Sequence, residues 1–242
     1  ATVKLPFTVV LQQAQDRFCE VGIDDASWTF DNKFYFVLNP IDKLGVALVS
    51  DVQGQKHPAK VAFDQESVFA TKICNMQAGL AEELAQSSLL VFNPQGEVRE
   101  SEFVRLVEWA NEGKSVVIVP TDKWGKREAD YLSRALGGTF VEATTQPPIE
   151  LEVPMQGQPF FKNMFEQQPQ AGSMPTIKPV CKLSRANESL LRAKNGETAL
   201  ALFEVGKGKL YVFSFFFGEG ETFTKNAIFL PVFYRMAENS AK

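Results

Sequence analysis

Short apolar runs alternate with amphipathic segments between residues 44 and 141, the pattern of strands that alternate with helices. Strands are predicted at Gly45–Val49, Leu89–Phe92 and Ser115–Val119, because each is a short aliphatic or aromatic run bounded by polar or glycine-containing segments. The short connections between them favour a parallel sheet with right-handed crossovers. The sequence therefore predicts an α/β fold with a doubly wound, mostly parallel sheet.

Three amphipathic segments predict helices: Glu66–Met76, a segment around residues 101–113, and Gly125–Leu136. The middle one has Ser101 as its expected N-cap and Gly113 as its expected stop. Its apolar residues recur at the spacing of one helix face: Phe103, Leu106, Val107 and Ala110.

The two ends of the chain carry strand patterns of their own. Near the amino terminus, aromatic and β-branched runs predict three strands: Val3–Leu11, Arg17–Ile23 and Trp28–Leu38. Near the carboxyl terminus, Thr198–Val205 and Leu210–Phe217 flank a Gly-Lys-Gly turn and predict a β-hairpin, followed by a helix at Phe229–Glu238. We therefore expect an N-terminal β region at residues 1–40 and an α/β domain at residues 41–242, with a Pro/Gln-rich insertion around residues 146–179.

Composition excludes several classes of partner and site. The chain has 25 Lys and Arg against 29 Asp and Glu, a net charge of −4, and no basic block, so a nucleic-acid partner is not expected. The apolar run Leu210–Gly218 is too short to span a membrane, and the first residues, ATVKLPFTVV, lack the features of a signal peptide. Three scattered cysteines and the single His57 form no metal-binding motif, so neither a metal nor a cofactor is expected.

The turns that follow the predicted strands are the places where an α/β sheet binds ligands. Asn93-Pro94-Gln95-Gly96 is typical of a tight turn and carries no nucleophile. In the next strand-end turn Thr121 and Asp122 are candidates for binding a polar ligand, although Asp122 also suits a cap of the following helix. The other candidates are Trp124, as an aromatic platform, and Glu219 in the loop Gly-Glu-Gly-Glu.

Four segments follow one another along most of the chain: VGIDDASWTFDNKFYFVL, FVRLVEWANEGKSVVIVP, PFFKNMF, and GKGKLYVFSFFF with NAIFLPVFYRMA. Together they resemble the α/β domain, and the segment before it, of BatA-like, aerotolerance-related membrane proteins of Bacteroidetes. The resemblance implies a fold similar to class I glutamine amidotransferase domains, in the extracytoplasmic, periplasmic part of a protein anchored in the inner membrane by segments absent from this chain. The amidotransferase nucleophile would fall in Val119–Lys123, which contains no cysteine, and no histidine follows His57.

The leading hypothesis is therefore a domain without catalytic residues that contacts other envelope proteins or positions neighbouring domains of the same protein. Its candidate contact residues are Phe160, Phe161 and Phe165, unless they fold onto the core. Two alternatives remain open. One is an amidotransferase-like hydrolase with an unorthodox site at Cys74, paired with His57, or at Thr121. The other is a small-molecule or glycan binder that uses the strand-end loops.

Overall fold

The computed structural model describes residues 17–22, 32–38, 43–50, 57–65, 67–75, 85–138, 140–155, 157–165 and 169–241. Contacts divide the chain into two units, residues 1–43 and residues 44–242. The strand predicted at Val3–Leu11 lies outside the described residues.

The first unit contains an antiparallel ribbon of β1 (Arg17–Gly22) and β2 (Lys33–Leu38). Phe18 lies opposite Val37, and the two strands are also joined by an ion pair between Lys33 Nζ and Glu20 Oε1 at 2.9 Å. The Phe18 side chain is 90% exposed. The ribbon therefore carries apolar surface that a two-stranded sheet does not bury by itself.

The second unit contains strands, three α-helices and several 3-10 helices among its described residues. Its strands are β3 (Leu44–Ser50), β4 (Phe69–Asn75), β5 (Leu89–Phe92), β6 (Ser115–Ile118), β7 (Val141–Ala143), β8 (Ile149–Glu150), β9 (Thr176–Ile177), β10 (Cys181–Leu183), β11 (Glu188–Arg192), β12 (Thr198–Val205) and β13 (Gly208–Phe213). The α-helices are α1 (Glu100–Asn111), α2 (Lys126–Ala135) and α3 (Phe229–Ser240), and the 3-10 helices are Pro58–Phe63, Pro159–Phe161, Ala171–Ser173 and Phe223–Lys225.

Seven of these strands form the central sheet, in the order β11-β12-β13-β6-β5-β3-β4. All neighbours from β13 to β4 are parallel, and β12 is antiparallel to both β11 and β13. The predicted α/β class with a mostly parallel sheet is therefore confirmed. The predicted hairpin is confirmed as well, as β12 and β13, with Gly206 at φ +59° in its turn.

The sheet is buried on both faces, which explains why its inner strands are continuous apolar runs. One core contains Ala47, Leu90 and Val116 together with Phe103 and Leu106 of α1. The other core contains the alternate side chains of the same strands, packed with α3 and with the 3-10 helix Pro58–Phe63, as seen for Val46, Val91, Val117, Phe63 and Phe233. Successive residues of one strand therefore pack into opposite cores.

The helix predicted at Glu66–Met76 is wrong, because the structure has β4 there. Phe69 and Cys74 are buried, whereas Ile73 is 53% exposed. The strand lies at the edge of the sheet, and its backbone pairs with β3 along the whole register. Phe69 and Ile73 have the spacing of a helix face in the sequence, but only Phe69 is buried in the structure.

Both predicted N-caps are wrong. Helix α1 has Arg99 at its N-cap, and the Arg99 backbone N–H donates to Glu102 Oε2 at 2.7 Å, so Ser101 lies inside the first turn. Helix α2 has Gly125 at its N-cap, with the acceptor supplied from inside the helix by the Glu128 carboxylate at 3.0 Å. Asp122 is three residues too early to cap that helix.

The three phenylalanines of the insertion that were candidate contact residues pack onto the core. Phe160 is 5% exposed and Phe161 is 3% exposed, with their rings edge-to-face at a centroid distance of 5.0 Å. Phe165 is half-buried and stacks on Phe161. The prediction that these phenylalanines form an exposed docking patch is therefore corrected.

Candidate functional site

A cavity of about 640 Å³ opens at the carboxyl ends of β5, β6 and β13. Its size falls in the range of small-molecule pockets, about 300–1,000 Å³. The loops that follow these three strands form most of its wall, and two segments beyond α2 complete it. The residues that line it are Asn93, Pro94, Gln95, Pro120, Thr121, Asp122, Trp124, Thr144, Thr145, Pro148, Lys178, Pro179, Val180, Phe216, Phe217, Gly218, Glu219 and Gly220.

Two buried polar side chains line the cavity directly beyond the sheet. Asn93 follows β5 and Thr121 follows β6, and these two strands are parallel neighbours. Asn93 is 3% exposed and Thr121 is 8% exposed. Asn93 Oδ1 accepts a hydrogen bond from Gln95 Nε2 at 3.3 Å.

The remaining polar atoms of this pair are available. Within the described part of the chain, neither Asn93 Nδ2 nor Thr121 Oγ1 makes a hydrogen bond, and neither is a fully enclosed polar atom. Both atoms are therefore reachable from the cavity. Because both atoms face the cavity, they can exchange hydrogen bonds with a water molecule or with a polar ligand that replaces it.

Three charged side chains surround this pair at the cavity rim. Asp122, Lys178 and Glu219 line the cavity and are exposed. No ion pair joins any of them to another charged group in the described ranges. Because the rim has two carboxylates and one ammonium group, its net formal charge is negative. Glu219 is held in a tight bend whose Gly220 has φ +89°.

Phe217 is the most exposed aromatic residue in the described lining of the cavity. It is half-buried, and its ring packs edge-to-face against Phe213 at a centroid distance of 5.1 Å. Trp124, in contrast, is 5% exposed and packs edge-to-face against Phe103, with its Nε1 enclosed and unpaired. Trp124 therefore exposes little of its ring at the cavity, and its role as an aromatic platform stays a prediction. Sequence reasoning misses Phe217 because the run FSFFF has the pattern of a buried strand throughout.

Backbone hydrogen bonds hold the far wall of the cavity in place. Val180 N–H donates to the Ser214 carbonyl at 2.8 Å, and Thr144 N–H donates to the Val180 carbonyl at 2.9 Å. The buried Glu221 carboxylate accepts from both the backbone N–H and the hydroxyl of Thr224, at 3.1 and 2.7 Å. These hydrogen bonds hold this part of the cavity wall in place without a ligand.

The structure brings together all four predicted ligand-binding residues, since Thr121, Asp122, Trp124 and Glu219 line the same cavity. It does not bring Cys74 and His57 together. Cys74 lies in the core that contains α1 and α2, whereas His57 begins the 3-10 helix whose Ala59 packs in the opposite core.

His57 has a structural environment. It is 3% exposed, and its Nδ1 accepts a hydrogen bond from the Ala59 backbone N–H at 3.2 Å. Burial lowers the pKa of His57 to about 4, despite the nearby carbonyls of Val91 and Val49. At neutral pH its imidazole is therefore uncharged and acts as a helix cap.

The described residues contain no reactive thiol at the cavity and no metal cluster. Burial raises the pKa of the Cys181 thiol to about 12, so that thiol stays protonated at neutral pH. In the part of the chain that the structure describes, no three His, Cys, Asp or Glu side chains are grouped to hold a metal ion. The helices among these residues are all too short or too polar to cross a bilayer.

No family model matches the chain, and no curated protein matches it. Among solved structures it is similar to a protein described as part of a GMP synthase from Thermoplasma acidophilum, at 12% identity and a TM-score of 0.54, over 84% of this chain and 96% of that one. It is similar to a cytoplasmic protein of Salmonella typhimurium LT2, at 12% identity and a TM-score of 0.53, over 93% and 96%. It also matches β-galactosidase from Bacillus circulans, at 12% identity and a TM-score of 0.53, over 82% of this chain and 31% of that one. At such identities the likeness shows the fold alone.

Proposed function

We propose that this chain is a non-catalytic binding domain whose strand-end cavity holds a small polar ligand. The observation that carries the proposal is the pair Asn93 and Thr121, which is buried at the ends of adjacent strands and leaves hydrogen-bonding atoms unused toward a cavity of 640 Å³. Ligands bind α/β sheets at this edge, beyond the carboxyl ends of the strands.

The residues at the cavity support binding over catalysis. An amidotransferase-like elbow would place its nucleophile in Val119–Lys123, where Thr121 is the one hydroxyl residue. A threonine hydroxyl needs an adjacent base to attack, and Thr121 makes no side-chain hydrogen bond within the described residues. The proposal therefore assigns Thr121 to ligand binding and gives it no nucleophilic role.

The finer fold assignment, a class I glutamine amidotransferase-like domain, is part of this proposal. Its support is the likeness to the GMP synthase protein of Thermoplasma acidophilum, together with the four sequence segments. The membership in BatA-like envelope proteins, a periplasmic location and envelope partners rest on those segments alone. The match to one third of a β-galactosidase chain is consistent with a domain that works beside others.

A second function, protein contact, is favoured by the first unit. Its ribbon exposes three aromatic side chains strongly, Phe18 at 90%, Phe34 at 69% and Tyr35 at 66%. Exposed apolar surface of this kind marks contact with another macromolecule or another segment. Crosslinking in the native host, with F18S/F34S as the variant, tests it: a neighbour lost in the variant supports contact, and unchanged crosslinks contradict it.

Thermal-shift screening tests the binding function directly. The chain is melted with sugars, amino acids, nucleotides and inorganic anions, and every hit is repeated with T121V and with E108Q. T121V removes one hydroxyl from the cavity with little change in shape, whereas Glu108 is an exposed carboxylate on α1, outside the cavity. Stabilisation that T121V reduces and E108Q keeps supports the proposal. The absence of any hit, or hits unaffected by T121V, contradicts it.

A further inference from the structure

We infer that the ligand of the strand-end cavity is an uncharged polyhydroxylated ring of the monosaccharide class. This inference rests on the proposed binding function and adds the chemistry of the ligand. It is carried by three features of the cavity that occur together: unused hydrogen-bonding groups at its floor, carboxylates at its rim, and an aromatic ring in its wall.

Asn93 and Thr121, which form the floor of the cavity, favour a ligand that carries oxygen atoms. Asn93 Nδ2 donates only, and the Thr121 hydroxyl both donates and accepts. A sugar hydroxyl matches both groups, because it accepts from the amide while it exchanges a hydrogen bond with the threonine. An aliphatic ligand would leave the buried Asn93 unsatisfied.

The rim disfavours anions and favours hydroxyl donors. Asp122 and Glu219 offer carboxylate oxygens, and the described residues give neither of them an ion-pair partner. Ionised carboxylates accept hydrogen bonds and do not donate them, so they suit sugar hydroxyls. Lys178 is the one cation among the described residues of the lining, and it does not outweigh two carboxylates. Sugar phosphates and sugar acids should therefore bind less well than the neutral sugars.

The wall suits the apolar face of a sugar ring. Phe217 is the half-buried aromatic of the lining, and Pro120 and Pro179 are further apolar residues of the same cavity. A pyranose presents C–H groups on one face and hydroxyls at its edge. That division matches a cavity with an aromatic wall and polar floor and rim.

Isothermal titration of the whole chain with galactose, glucose, mannose and N-acetylglucosamine tests the inference, with galacturonate and glucose 6-phosphate as charged counterparts. We expect at least one neutral sugar to bind with a Kd of about 1 mM or below, as befits a small ligand. T121V should weaken that binding about threefold to tenfold, and E108Q should leave it unchanged. The double substitution D122N/E219Q should reduce the difference in Kd between a neutral sugar and its charged counterpart.

The possible outcomes distinguish a failure of the proposed ligand class from a failure of the proposed binding function. If amino acids, nucleotides or anionic sugars bind through Thr121 while neutral sugars do not, the ligand class is overturned and the binding function stands. If nothing in the panel binds, both are overturned. Circular dichroism and melting of each variant establish that it is folded, so a loss of binding reports on the cavity.

Discussion

The two ends of the central sheet are built in opposite ways. At the amino ends the backbone closes tightly: a Cβ on Gly45 would lie 2.2 Å from the Gln86 carbonyl oxygen, and one on Gly208 would lie 2.2 Å from that of Lys114. Lys114 Nζ also donates to the Ser87 carbonyl at 2.7 Å. The polar groups at this end are used to close the structure.

At the carboxyl ends the loops separate and form the cavity. Asn93 and Thr121 are largely buried there, and each has a polar atom that faces the cavity and makes no hydrogen bond to the protein in the described ranges. We therefore expect the polar residues at the amino ends to contribute to stability, whereas Asn93 and Thr121 at the carboxyl ends contribute little, as is common where a ligand binds.

The largest expected effect is at the amino end. G208A places a methyl group against the carbonyl oxygens of Lys114 and Ala110, at 2.2 and 2.4 Å, so the backbone must move. We expect a loss of about 2–4 kcal/mol in the free energy of unfolding, measured in urea. G157A is the matched control, because its new Cβ meets no atom within 4 Å. Equal stabilities of the two variants would contradict tight closure at Gly208.

The second effect depends on pH. The folded pKa of His57 is lowered to about 4 from an ordinary 6.5, so between these values the unfolded chain binds more protons than the folded one. Its contribution to stability is complete above pH 6.5 and falls by up to about 3 kcal/mol as the pH drops to 4. H57N keeps an acceptor for the Ala59 N–H without a titrating ring. The wild type should lose more stability than H57N over this range, and parallel curves would refute the assignment.

A smaller loss is expected from K114M. This change removes the hydrogen bonds from the ammonium to the carbonyls of Ala85 and Ser87, at 3.3 and 2.7 Å, and leaves part of the stem in place. We expect about 1–2 kcal/mol of destabilisation in urea unfolding. K126M, at an exposed position in the first turn of α2, should change stability by less than about 0.5 kcal/mol. A loss no larger than that of K126M would mean that Lys114 does not hold this end closed.

The smallest effect is at the carboxyl end and has the opposite sign. T121V removes a buried hydroxyl that has no protein partner in the described residues, so the unliganded protein should gain from zero to about 1 kcal/mol in stability. Urea unfolding without ligand measures it. A clear destabilisation would show that the hydroxyl is satisfied within the fold, and would weaken the contrast between the two ends.

The central strands and the hairpin are predictable because local pattern and tertiary environment agree. Leu89–Phe92 and Ser115–Ile118 are buried on both faces, and their sequences are almost entirely apolar. In β4 the sequence pattern and the tertiary environment disagree, since Ile73 is apolar but exposed at the sheet edge. The helix caps escape prediction because Glu102 and Glu128 cap α1 and α2 from within their first turns.

The cavity is predictable only in pieces. The sequence identifies Thr121, Asp122 and Glu219 as residues that follow strands. They come together because β6 lies between β5 and β13, and the local sequence pattern does not predict that strand order. Lys178 comes to the cavity from the Pro/Gln-rich segment, which has no periodicity to place it. The sequence around Asn93 predicts a turn, and only the burial of its side chain with an unused amide shows a further role.

Amide chemical-shift mapping by NMR during titration with a neutral monosaccharide shows directly which end of the sheet binds the ligand. We predict shifts concentrated in the loops after β5, β6 and β13, near Asn93, Thr121 and Glu219, with the amino ends around Lys114 and Gly208 unchanged. Shifts centred on the amino ends, or no shifts with any ligand that stabilises the chain, would contradict this prediction.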